Sequence, residues 1–383
     1  MAAASQILVL NSGSSSLKFG LYAPGASDET PVLTGSADAI GRSEGTLRVT
    51  SAEGDVLLEE RHVLETQEHA LGKIAAAVTQ HAGRLAGIGH RIVHGGPHLV
   101  EHQRITPAVV HTLQQSVHFA PLHIPQSLSL LRVAEKFFPG VANFACFDTA
   151  FHRNLPAVAS HLPLPPEYFA EGVRRYGFHG LSYESIVHRL GSALPERAVL
   201  AHLGNGSSVA AVHRGASIDT SMGLTPTGGV VMSSRSGDLD PGVLVYLARA
   251  KGLTPDAMEA LLDHQCGLAG LSGGDSDMQS LLAKEAAGDT QAHLAVAAFC
   301  ISVKKTIGAY AALMGGVDLL VFTGGIGWHS SQIRARICSG LEVLGLRAAQ
   351  EPPAGKVLAL QAEEELQMAR HVRRLLAAEA PSA

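Results

Sequence analysis

The sequence predicts an α/β protein built from two similar domains, and three observations predict it. The stretch 7–20, ILVLNSGSSSLKFG, runs from an apolar strand through a polar turn, Asn11–Ser16, into a second apolar strand, Leu17–Tyr22. The stretch 198–213, AVLAHLGNGSSVAAVH, repeats the construction, and aligning Ser15-Ser16 on Ser207-Ser208 superposes the two. The length, 383 residues, allows two hydrophobic cores.

Two copies of a phosphate-sized glycine–serine turn predict duplicated domains facing each other across a cleft. In the first turn Gly13 is free to take positive φ, and Ser14, Ser15 and Ser16 offer hydroxyls and N–H groups. Lys18 lies just past it, within reach of an anion held there. Neither turn opens a helix with lysine at its start, so this is not a GxxxxGK[ST] loop. A glycine–serine hairpin instead resembles those of the actin-like kinases and their relatives. An ordinary serine-rich loop with a surface lysine has the same composition, and the recurrence weighs against it.

Composition narrows the function class. At 46% hydrophobic and 16% charged residues the chain is globular rather than disordered. A net charge of −5 with no basic run argues against nucleic acid or an anionic membrane as partner. Cys146, Cys266, Cys300 and Cys338 lack CxxC spacing, which predicts buried free thiols in a reducing cytoplasm. Residues 1–6 have no basic, apolar leader pattern, and no window reaches the ~18 uninterrupted apolar residues of a membrane span.

Residues 31–35, 45–50 and 55–58 alternate between glycine turns and predict further antiparallel strands. Over 65–82 the spacing becomes helical, with Leu71, Ile74, Ala75 and Val78 on one face. His90, His94, His98 and His102 recur every four residues, but Gly95-Gly96-Pro97 breaks any helix there and denies them a common metal-binding face. Arg91, ending a short apolar strand before that glycine pair, is either an anion ligand or a surface arginine.

Residues 120–125 predict a rigid connector and 127–138 an amphipathic helix. A buried strand over 141–147 delivers Asp148 at its end, where α/β proteins mount catalytic or metal-binding groups; a turn-capping role is the alternative. His179 stands between two glycines beside Arg174 and Arg175. The polar loops 217–229 and 233–241 carry Arg235 as their strongest cation. Asp275-Ser-Asp277 lacks the loop of an EF-hand calcium site. A long helix over 292–315 precedes a buried strand, 317–323, which enters a Gly-Gly-x-Gly turn and a helix over 330–344. The last helix, 363–378, would pack positions 366, 369, 372, 375 and 376 on a core.

Taken together, these motifs resemble the acetate kinases, within the acetate/propionate/butyrate kinase group, from Ile7 to about Arg374. The likeness is carried by NSGSSSLK, GHRIVHGG, FDTAFH, RRYGFHG, HLGNG, DTSMG, RSGDLDP and FTGGIG, all in order. The resemblance implies duplicated actin-like (ribonuclease H-like) domains, 1–148 completed by the C-terminal helix 366–383 and 149–365, with ATP in the interdomain cleft. It implies a homodimer that transfers the γ-phosphoryl of ATP to acetate, giving acetyl phosphate and ADP, and the reverse. Asn11 and Glu364 would hold Mg²⁺, or Mn²⁺ in its place. Lys18 would contact the nucleotide phosphates, and Arg91 the acetate carboxylate or acetyl phosphate.

Asp148 matches the family's acid/base position, and His179 and Arg235 its transition-state stabilisers. Three stretches match its ATP contacts: His202-Leu203-Gly204-Asn205-Gly206, Asp277-Met278-Gln279, and Gly325-Ile326-Gly327-Trp328-His329. Val93, Leu122, Phe178 and Pro226 match its pocket for the acyl methyl. Phosphoryl transfer asks mainly for positioning and charge neutralisation, which two arginines, a histidine and a divalent cation supply. A carboxylate acceptor is already ionised at pH 7, since such acids titrate near ~4. Asp148 therefore has no proton to remove from it, and ordering the attacking oxygen or bound water suits it better.

The chain departs from the family's HNP at His123-Ile124-Pro125 and from its HGTS at His179-Gly180-Leu181-Ser182. It departs again from GIGEN at Trp328-His329 and from PTNEE at Gln361-Ala362-Glu363. Trp328, the single tryptophan, either stacks on the nucleotide or packs as core. A propionate or butyrate kinase shares the same motifs, and a non-catalytic nucleotide-gated sensor is the alternative from another class.

Overall fold

The computed structural model describes residues 5–13, 16–348 and 356–379. Ser14 and Ser15 of the first predicted turn, and 380–383 of the predicted terminal helix, lie outside the described residues. The chain forms two compact units, Met1–Ala150 with Glu363–Ala383, and Phe151–Ala362.

The first unit is built on β1 (Gln6–Ser12), β2 (Leu17–Pro24), β3 (Glu29–Asp38), β4 (Gly45–Ser51), β5 (Val56–His62), β6 (Leu85–Ile92), β7 (Gln103–Arg104) and β8 (Ala142–Phe147). They form one sheet in the order β5-β4-β3-β2-β1-β6-β8-β7. β1 to β5 pair antiparallel with their neighbours, while β6 runs parallel to β1 and β8 parallel to β6. The second unit holds β9 (Arg197–Leu203), β10 (Ser207–His213), β11 (Ala216–Thr220), β12 (Leu319–Thr323) and β13 (Val357–Ala359), in the order β11-β10-β9-β12-β13. β10 is antiparallel to β9 and β11 to β10, while β12 runs parallel to β9 and β13 parallel to β12. Each unit therefore repeats one topology, an antiparallel meander followed by two parallel strands on the other side of the first.

The hairpin registers correct the residue alignment of the two copies. Ser12 pairs with Leu17 across the first turn, and Leu203 with Ser207 across the second. Ser207 and Ser208 are thus fully buried strand residues at the level of Leu17 and Lys18. Ser16 belongs to the turn, so the two serine pairs are not equivalent.

β1 is buried from Ile7 to Ser12 because both faces of the sheet are covered. On one face the helix Gln67–His81, capped by Thr66, buries Leu71, Ile74, Ala75 and Val78 in a core shared with Leu130 and Ala134 of the helix Ile124–Phe137. The latter helix starts three residues before the predicted Ser127. Pro125 stands in its first turn, where a missing N–H costs nothing. The terminal helix Glu364–Glu379 meets β1 and β6, where a Cβ on Gly89 would lie 2.9 Å from a methyl carbon of Val372. Its buried face is Met368, Ala369 and Val372 with Gln367 and His371. Leu366, Leu375 and Leu376 are half-buried, so the packed stripe is rotated from the predicted one.

In the second unit the helix Thr290–Leu313 buries Ala295, Val296, Phe299, Val303 and Ile307 against Val199, Ala201 and Val209. By length and composition it could cross a membrane, yet one face of it packs into the core of this unit. After β12 the predicted glycine turn is instead a short helix, Gly324–His329. Ser330 then caps the helix Ser331–Cys338; Gly340 at φ 90° interrupts the predicted run, which ends in a separate 3-10 turn, Glu342–Leu344.

Candidate active site

In the first unit β1, β6 and β8 are parallel, so their carboxyl ends lie side by side and deliver Asn11, Arg91 and Asp148 to one place. Arg91 Nε donates to Asp148 Oδ2 at 2.9 Å, and its Nη2 donates to the same oxygen. Nη1 donates to the Ser12 carbonyl at 3.3 Å and to Asn11 Oδ1 at 3.5 Å. Asp148 is 1% exposed, and its own N–H donates to the Ile92 carbonyl at 3.0 Å. Burial works against the Arg91 charge, but Asp148 and then Glu364 outweigh it and hold the guanidinium above its ordinary pKa.

The terminal helix brings two carboxylates to the same strand end. Asn11 Nδ2 donates to Glu364 Oε2 at 3.0 Å and to Glu365 Oε1 at 2.8 Å. Desolvation, followed by repulsion from Glu364, raises the Glu365 pKa; Lys18 and Asn11 oppose it. Asp148, Glu364 and Glu365 carry three negative charges when ionised, against one each on Arg91 and Lys18. The surplus of hard oxygen donors fits a divalent cation, which would relieve the crowding that Glu365 registers. Lys18 is exposed on β2, directly across from Asn11.

In the second unit His179 precedes the helix Gly180–Leu190 in a left-handed conformation, φ 59°, which a non-glycine residue adopts only where its surroundings enforce it. Its Nδ1 lies 2.9 Å from Ser208 Oγ, which in turn lies 2.5 Å from the Tyr183 hydroxyl. The ring stacks on His202, centroids 4.2 Å apart, and His202 Nδ1 lies 2.8 Å from Ser182 Oγ. Arg235 donates to the Pro226 carbonyl at 3.2 Å. A Cβ on Gly206 would lie 3.2 Å from His179 Nε2 and 3.4 Å from Arg235 Nη1. Imidazole and guanidinium therefore meet over the turn Gly204–Gly206.

The start of the helix Gly324–His329 adjoins that turn. Gly324 has φ 75°, and a Cβ there would lie 2.6 Å from the Leu203 carbonyl. The Ser233 N–H donates to Asn205 O at 3.2 Å, tying the Arg235 loop to the turn. Within this unit the structure thus joins His179, His202, Leu203, Gly204, Asn205, Gly206 and Arg235 with the Gly325–Ile326 end of the short helix.

Other predicted residues are placed differently. Asp277 caps the helix Met278–Ala286, Met278 buries its side chain in the core, and Gln279 is exposed. Gly327 is buried, His329 is exposed, and Trp328 is half-buried, so the tryptophan is not a core residue. Arg334 donates to the Gly327 and Trp328 carbonyls at 2.9 and 2.7 Å and holds that helix end. Phe178 is 1% exposed and Pro226 is buried in the second unit; in the first, Val93 is half-buried and Leu122 is 49% exposed. The sequence does not single out Glu365, Ser182 or Tyr183, and it shows Ser208 as a turn serine, not as the partner of His179. Glu365 stands in a run of three glutamates, and only the angular position on the helix singles it out.

A repeated meander-plus-parallel sheet, with charged groups at its strand ends and a glycine turn after its first strand, defines the actin-like α/β class of phosphotransferases. The chain matches the model of the Acetokinase family over residues 6–362, and it belongs to that family. It is 39% identical to an acetate kinase of Rhodopseudomonas palustris (strain TIE-1) over 396 residues, covering 96% of this chain and 98% of that protein. Among solved structures it resembles Porphyromonas gingivalis acetate kinase at 33% identity and a TM-score of 0.83, covering 97% and 100% of the two chains. It also resembles a propionate kinase of Francisella tularensis at 32% identity and a TM-score of 0.87, covering 96% and 98%.

Proposed function

We propose that the protein transfers the γ-phosphoryl group of ATP to acetate, reversibly, giving acetyl phosphate and ADP. The observation that carries this reading is the pairing of the part-buried Arg91 with the buried Asp148 at the strand ends, beside the Asn11–Glu364–Glu365 oxygen cluster. A planar guanidinium held in one orientation is suited to a carboxylate or an acyl phosphate. Asp148 keeps it there and orders the attacking oxygen, with no proton to abstract. His179 and Arg235 present N–H donors toward one point and stabilise the phosphoryl group in flight, while Lys18 meets the nucleotide phosphates. Asn11, Glu364 and Glu365 would hold Mg²⁺, or Mn²⁺. When bound, the cation neutralises charge on the phosphate oxygens.

The same proposal assigns 202–206, 277–279 and 325–329 to the nucleotide, and Val93, Leu122, Phe178 and Pro226 to the acyl methyl. It includes a homodimer and a cytoplasmic setting. The helices Pro241–Lys251 and Pro255–His264 bury no residue, and Val243, Val245 and Tyr246 are exposed, an apolar surface that a second copy would cover. The likeness to a propionate kinase favours propionate as a second acceptor. A chain-length series read as carboxylate-dependent ADP formation tests the reading. Acetate should lead, with propionate weaker by the ~1–3 kcal/mol that one methylene is worth and butyrate poor. Butyrate outperforming acetate would overturn the acyl assignment.

A further inference from the structure

Two glutamines outside every assigned role converge on one carbonyl of the first turn. Gln126 Nε2 donates to the Gly13 carbonyl at 3.0 Å, and Gln67 Nε2 donates to the same oxygen at 3.2 Å. Gln67 also reaches Ser12 Oγ at 3.3 Å. Gly13 N–H closes the turn on the Ser16 carbonyl at 2.9 Å. The glutamines come from the first turns of two helices, Gln67–His81 and Ile124–Phe137, whose apolar faces share one core, so both amides are mounted on rigid supports.

We propose that Gln67 and Gln126 are positioning residues for phosphoryl transfer, holding the backbone at Ser12–Gly13 where it carries Asn11 and receives Arg91. The inference rests on the acetate kinase reading of Asn11 and Arg91. The Ser12 carbonyl accepts from Arg91 and the next carbonyl accepts from both glutamines, while Asn11, one residue earlier, grips Glu364 and Glu365. Three successive residues thus link the guanidinium, the carboxylate cluster and the two helices. A turn released from the glutamines shifts the guanidinium and the carboxylates together. Shifts on the ångström scale far from the reacting atoms are enough to slow such steps substantially.

The test uses full-length wild type, Gln67→Leu, Gln126→Leu, the double variant and Gln126→Glu. Readouts are kcat, KM for acetate, the Mg²⁺ concentration for half-activation and the thermal midpoint. Each Leu variant should lower kcat about three- to tenfold and the double variant at least about tenfold. The Mg²⁺ requirement should rise while the thermal midpoint changes little. Gln126→Glu keeps the size of the side chain but cannot donate to a carbonyl when ionised, so it should lose as much as Gln126→Leu, whereas a packing role would tolerate it. Should the double variant fail to fold, Gln126→Glu decides. An active wild type with kcat unchanged in the folded double variant, or in Gln126→Glu, overturns the inference alone. A wild type inactive on acetate overturns the kinase reading and the inference with it.

Discussion

Arg91 and Asp148 end adjacent parallel strands, and Arg91 places two N–H donors on a single Asp148 oxygen, one at 2.9 Å from Nε. Asp148→Asn keeps the shape of the side chain and removes the counter-charge of a largely buried guanidinium. It should lower kcat/KM by at least ~10²-fold and also destabilise the first unit. Steady-state kinetics with circular-dichroism melting checks both, and near-wild-type kinetics in a folded Asp148→Asn would remove Asp148 from the site.

Chelation should abolish activity, and added Mg²⁺ should restore it. Asn11→Ala and Glu364→Gln should each raise the Mg²⁺ concentration for half-activation by about tenfold or more, because they loosen the oxygen cluster that would hold the ion. A Mg²⁺ titration at fixed ATP reads this directly. Unchanged half-activation in both variants would place the cation elsewhere.

Stability should fall with acid in a defined window. His90 donates from Nε2 to Asn143 Oδ1, and His152 from Nε2 to the Phe178 carbonyl; burial holds both imidazoles down to about 4. The unfolded chain takes up these protons near pH ~6.5. Between pH ~6.5 and about 4 the unfolded state binds more protons, so stability rises with pH there and is lost as pH falls, by roughly 3 kcal/mol per histidine. Thermal midpoints from pH 8 to 4.5 should show the loss, and His90→Gln should flatten it. An identical slope in that variant would contradict the prediction.

Trp328 is half-buried on the short helix beside the Gly204–Gly206 turn, with its carbonyl held by Arg334. If it flanks the nucleotide, ATP or ADP should change its fluorescence saturably. Trp328→Ala should weaken nucleotide binding about fivefold, the worth of an exposed stacking contact, with a smaller effect on acetate. Calorimetry checks the variant, and an unchanged nucleotide Kd would count against a binding role.

The hairpins, the buried strand before Asp148 and the helix over 65–82 were legible because their patterns are local: alternation, glycine turns and helical spacing. The seat of Arg91 was readable as a strand end, but not its partner, which lies 57 residues away and is brought close only by parallel pairing. Ser207 looked like a turn residue because composition cannot show where a hairpin register closes. The short helix at 324–329 was hidden by its three glycines, which favour a turn until packing against Leu203 fixes them. Glu365 was indistinguishable from its neighbours until the terminal helix was docked on β1. Gln67 and Gln126 carried no signal at all, since each is an ordinary helix residue until its amide meets Gly13.

The most direct test of the central claim is acetyl phosphate formation, trapped as the hydroxamate, from ATP, Mg²⁺ and acetate, in wild type, Arg91→Ala and Arg235→Ala. Wild type should form product, and each variant should fall by at least ~10²-fold in kcat/KM while still binding ATP. A wild type that binds ATP and forms no acetyl phosphate, or folded variants that keep most of its rate, would contradict the account.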